Sequence, residues 1–175
     1  MATFDLTASS TLGVGANSIA ALPSAQSTGH PMRIVEGVVD FARLSNAGNT
    51  IASGDVFQAL EIPAGTMVLF AGAEVETAVN GTTPLVDIGF NAGDTIIDGA
   101  AVGTTGFLAA GTNGGPNDSD AGTFTQFVST TDTIDVTLSV TGNPTAGVIR
   151  VYACVVDCNS AGSAEGTEVD RDQLA

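Results

Sequence analysis

Between residues 33 and 159 apolar and polar positions alternate with period two, in short runs separated by Gly, Asn, Pro and Thr. The clearest run covers residues 133–141. Ile134, Val136, Leu138 and Val140 fall on one side of an extended chain, and Thr133, Asp135, Thr137, Ser139 and Thr141 on the other. This predicts a half-buried strand with one solvated face. Gly142, Asn143 and Pro144 then supply turn chemistry, and a second run follows over 147–157. There Ile149, Val151, Ala153 and Val155 fill one face. Val148, Tyr152, Cys154 and Val156 fill the other, with Arg150 as the polar exception. A strand apolar on both faces is either central in its sheet or covered by another subunit, and Arg150 is expected to pair with a carboxylate.

Earlier runs of the same kind lie at 34–44, 55–62, 66–79, 85–90 and 124–129, with a shorter piece at 95–98. Asn80-Gly81 suits a tight hairpin connection, and Pro63-Ala64-Gly65 a short turn between strands. No apolar repeat of helical period extends over ten or more positions. About eight short, evenly spaced strands predict an all-β fold, an antiparallel β-sandwich or jelly-roll-like arrangement. Residues 100–121 read as the longest irregular stretch, with a projecting loop inside it.

Flanking the 33–159 domain, two segments differ in composition. Residues 1–32 are rich in Ser, Thr, Ala and Gly, with one apolar patch from Ile19 to Leu22, and read as an extended arm. Residues 160–175 form a small, acidic tail. The N-terminal MATFDLTASS has an early Asp and no basic region followed by an apolar stretch, so no targeting segment is expected. No run approaches the roughly 18 apolar residues of a helical membrane span.

Charge narrows the function classes. The chain has no lysine, four arginines, 19 acidic residues and a formal net charge of −15. Four scattered arginines cannot neutralise a phosphate track, so neither nucleic acid nor an anionic membrane is expected as a partner. So acidic a chain repels its own copies at low ionic strength, and high salt mutes that repulsion.

Candidate chemistry is sparse. His30 stands alone in STGHPM, and one imidazole makes neither a triad nor a metal site. Cys154 and Cys158, if on one extended strand, would lie roughly 13 Å apart, too far for a disulfide unless the strand ends and turns at Asp157. Asn113, Asn117, Asp118 and Asp120 carry oxygen ligands but lack the spacing of a calcium loop. Glu74 and Glu76 share a strand face, as paired glycosidase carboxylates would. With no Trp and one Tyr to line a sugar cleft, two solvated glutamates are the expected reading. No catalytic residue, metal or cofactor is therefore expected, and the chain reads as non-enzymatic.

Residues 43–78, RLSNAGNTIASGDVFQALEIPAGTMVLFAGAEVETA, resemble a segment of small structural proteins of tailed bacteriophages, particularly marine ones. VDIGF (86–90), DGAAV (98–102), STTDTIDVTLS (129–139) and AGVIRVYACVVD (146–157) are similar to the remainder of that pattern. The resemblance implies a β-rich virion protein with no active-site residues to carry over. On that footing the expected role is capsid decoration, or cement, on the outer surface of a phage head. The expected partners are the major capsid protein and copies of the chain itself, a homotrimer foremost. The expected contact residues are Ile19 and Leu22 in the arm, with Arg33, Arg150, Tyr152 and Val156 in the domain. A head fibre or spike that binds host glycans through the 111–122 loop, or another structural component of head or tail, is the alternative.

Overall fold

The computed structural model describes residues 1–6, 32–109 and 125–158. Among the described residues the chain forms ten strands and one short helix: β1 (Thr3–Asp5), β2 (Met32–Asp40), α1 (Phe41–Asn46), β3 (Val56–Ile62), β4 (Thr66–Thr77), β5 (Thr82–Phe90), β6 (Ile97–Ala101), β7 (Gly106–Ala109), β8 (Gln126–Val128), β9 (Asp132–Thr141) and β10 (Val148–Asp157). They form two sheets, ordered β1-β3-β9-β5-β6 and β2-β10-β4-β7, with β8 also pairing with β4. The inward faces enclose one core. Ile134, Val136, Leu138 and Val140 of β9 meet Ile149, Val151, Ala153 and Val155 of β10 there, all buried as their alternation predicts. The fold is the expected all-β sandwich.

One pairing departs from the antiparallel rule. β1 runs parallel to β3, with Phe4 opposite Phe57. A parallel pair needs a long crossover, and the chain between β1 and β3 supplies it. Phe4 stacks on Phe57 with ring centroids 5.1 Å apart, and Phe41 meets the same ring edge-on at 5.2 Å. The buried Asp55 carboxylate ties this strand down, accepting from the Ala2 N–H at 2.6 Å and the Ala52 N–H at 2.8 Å. The first six residues, read from sequence as the start of an arm, thus belong to the sheet; residues 7–31, including Ile19, Leu22 and His30, lie outside the described part.

Three local expectations are corrected. The strand predicted over 34–44 stops at Asp40, whose side chain accepts the Arg43 N–H at 2.9 Å and so caps α1. Phe41 and Leu44, three apart, are both buried, and that spacing belongs to a helical turn rather than a strand. Asn80-Gly81 does not close a hairpin: β4 and β5 lie in different sheets, and the link crosses the sandwich. The Asn80 side chain serves that crossing by accepting from the Thr145 and Ala146 N–H groups at 2.8 and 2.9 Å. Finally, the stretch read as irregular contains the end of β6 and all of β7.

Close packing at the sandwich margin depends on Gly37 in β2. A Cβ there would stand 2.1 Å from the Ala59 carbonyl oxygen of β3. Only a residue without a side chain lets the edge of one sheet approach the other so closely.

Candidate functional site

β10 is central in its sheet, between β2 and β4. Its odd-numbered residues fill the core, so Val148, Arg150, Tyr152, Cys154 and Val156 point outward and remain half-exposed. The antiparallel registers set their neighbours. Val156 lies beside Met32 of β2 and Met67 of β4, and Met67 in turn beside Phe127 of β8. Cys154 lies between Ile34 and Phe70. These two adjacent rows build an apolar outer face at one end of the sheet.

Its large side chains face solvent. Ile34 is 76% exposed, Phe107 75%, Met32 65%, Phe127 53% and Phe70 42%. Phe107, on β7 opposite Glu74, stands in the row of Arg150 at the margin of this face, outside the two apolar rows. A shift of register between Cys154 and Val155 leaves Leu69 as an extra residue in β4, a bulge that turns Phe70 outward. Phe70 leans against Tyr152, with ring centroids 6.0 Å apart. Partial burial, then the nearby Glu74 charge, hold the Tyr152 hydroxyl above its ordinary value, so it stays a neutral hydrogen-bonding group across the physiological range.

The other end of the same face is ionic. Arg150 donates from Nη1 to Glu36 at 2.8 Å and from Nε to Glu76 at 2.7 Å, with Nη2 also against Glu76. A second bulge falls at Glu76, between the pairs of Val148 and Ile149 with β4. The carboxylate expected for Arg150 is thus two carboxylates, and its hydrogen bonds to Glu36 and Glu76 raise its already high pKa. Glu74 lies opposite Arg150 in register, and Asp40 ends the β2 row. Carboxylates outnumber the single guanidinium, so this rim is net acidic.

The residues singled out from sequence therefore separate. Arg150, Tyr152 and Val156 share one outward face. Arg33 is on the opposite side of β2, the side of Val35 and Val39, and its Nη2 is buried without a hydrogen-bond partner. Glu74 and Glu76 do share a face, but Glu76 is engaged by Arg150. Cys154 and Cys158 are free thiols. The 111–122 loop lies outside the described residues. Among those described, no group of three or more His, Cys, Asp or Glu side chains is placed to hold a metal ion, and no helix is long and apolar enough to cross a membrane.

Sequence reasoning missed the exposed members of the patch. Ile34 was legible as the outward neighbour of Glu36 once β2 was placed. Phe107 was hidden in a stretch whose glycines and threonines read as loop.

No protein-family model and no curated protein matches the chain. Solved structures do. A chain from the capsid of Ralstonia phage GP4 superposes with a TM-score of 0.52 at 16% identity, covering 81% of this chain and 93% of that one. A chain from the capsid asymmetric unit of cyanophage Pam1 gives 0.49 at 19% identity, covering 80% and 96%. The likeness to the Ralstonia phage chain is one of fold and extends over nearly all of that chain.

Proposed function

We propose that this chain is a non-enzymatic structural component of a tailed-phage particle, a decoration (cement) protein on the outer surface of the capsid. Its partners in this reading are the major capsid protein and further copies of itself, assembled as a trimer. The observation that carries the proposal is the outward face of the β2-β10-β4 sheet. It offers large exposed apolar side chains on a rigid support, which is a surface for contact and not for chemistry. The shared fold with a chain from the Ralstonia phage GP4 capsid is consistent with it, as is the sequence resemblance of residues 43–78.

The role is mechanical. A two-layer sandwich with a continuous core resists shear, and apolar burial repeated over many copies opposes internal pressure on a shell. Quantitative mass spectrometry and immunogold labelling of purified virions test the proposal. The expected result is a high copy number with gold confined to intact heads. Absence from the virion, or labelling confined to tail tips, would overturn it.

A further inference from the structure

We infer that the outer face of the β2-β10-β4 sheet docks onto a different protein, one whose surface is apolar at its centre and carries arginine or lysine at its rim. The inference rests on the proposed function, and within the particle it assigns this face to the main shell protein rather than to a second copy.

Area is the first argument. At about 200 Å² per large side chain, the exposed fractions of Met32, Ile34, Phe70 and Phe127 amount to roughly 470 Å² of apolar surface, and Phe107 beside Glu74 at the margin adds about 150 Å². Together that is at the upper limit of patches on chains that stay alone, about 300–600 Å². With the half-exposed Tyr152 and Val156 it approaches the ~800 Å² per partner of a specific interface.

Charge chooses between occupants. The patch is bordered by Glu36, Glu74 and Glu76, with Arg150 already held by two of them. A second copy laid on this face would bring the same acidic rim, on a chain of formal net charge −15. Like charges brought together at the edge of a desolvated contact oppose it. A basic rim complements it.

The test uses the full-length chain, fluorescently labelled, and virions produced without it. Binding of wild type is compared by co-sedimentation with Ile34→Asp, Phe107→Ser, Glu74→Lys and a control on the outer face of the other sheet, Ser139→Asp. The expected result is at least a tenfold loss for the two apolar-face variants, a several-fold loss for Glu74→Lys, and no change for the control. Melting temperature and sedimentation velocity of the isolated chains should be the same for all.

Wild-type binding with undiminished binding of Ile34→Asp and Phe107→Ser overturns the docking face and leaves the decoration role standing. No wild-type binding overturns both. Stronger binding by Glu74→Lys overturns the basic rim. If the apolar-face variants instead abolish self-association, the occupant is a second copy. If they lower the melting temperature markedly, the chain covers this face itself. Either result overturns the inference.

Discussion

Asp135 lies on the side of β9 whose alternating neighbours Thr137 and Ser139 meet solvent, yet it is buried. The reason is local. The turn after β5 folds back over it, with Asn91 and Ala92 both at φ 55°, and the Ala92 N–H donates to its carboxylate at 2.8 Å. The Thr133 hydroxyl donates to the other oxygen at 2.6 Å. Burial raises the carboxyl above its ordinary range, and these two bonds only partly offset that. A group that holds its proton more tightly folded than unfolded contributes stability that is full below its unfolded value, about 3.9, and lost as pH rises through the folded value. Asp135→Asn should therefore fall further behind wild type in urea unfolding at pH 4 than at pH 7; an unchanged gap would contradict the assignment. Alternation alone could not reveal this burial, because it reports the face of a strand and not the loop that covers it. The Arg150 pairing was legible, since a lone cation on an apolar strand needs a counter-charge. Being partly exposed, that network is worth about 1 kcal/mol or less. Arg150→Gln should lower stability by that amount in dilute buffer and by less in 1 M salt, as denaturant midpoints would show.

At the scale of elements, the core strands β9 and β10 followed directly from their sequence because both bury one face of strict period two. Elements that meet the core by other means did not. α1 has six residues and only Phe41 and Leu44 to signal it, and β1 has three residues and one buried ring. The Asn80-Gly81 link carries hairpin residues but serves a crossing between sheets, a distinction that depends on which strands pair. Two variants test how the margins are held. Gly37→Ala forces a methyl against the Ala59 carbonyl and should cost about 1–3 kcal/mol, as overpacking does, measured by thermal or urea unfolding. Asp55→Ala leaves the Ala2 and Ala52 N–H groups without their acceptor. It should release β1, seen as faster hydrogen exchange at the Val56 N–H, which donates to the Ala2 carbonyl at 2.8 Å. Unaltered exchange there would mean that the stacking of Phe4 on Phe57 suffices to hold the strand.

For the whole molecule, the two sheets differ in what they turn outward. The β1-β3-β9-β5-β6 sheet presents Thr137, Ser139 and the covering turn, while the β2-β10-β4 sheet presents phenylalanines, methionine and isoleucine bordered by carboxylates. The two-faced pattern of β10 left open a central strand or one covered by another subunit, and β10 is central in its sheet. That pattern could not locate the patch, because all five of its most exposed members lie on other strands, β2, β4, β7 and β8, and only register brings them together. In the proposed role, this asymmetry sets which face the protein turns toward the shell. A cryo-EM reconstruction of the virion tests this most directly. The account predicts density for the sandwich outside the head shell, with Ile34, Phe107 and Phe127 turned toward the underlying shell protein. Particles lacking that density, or carrying it with this face open to solvent, would contradict the account.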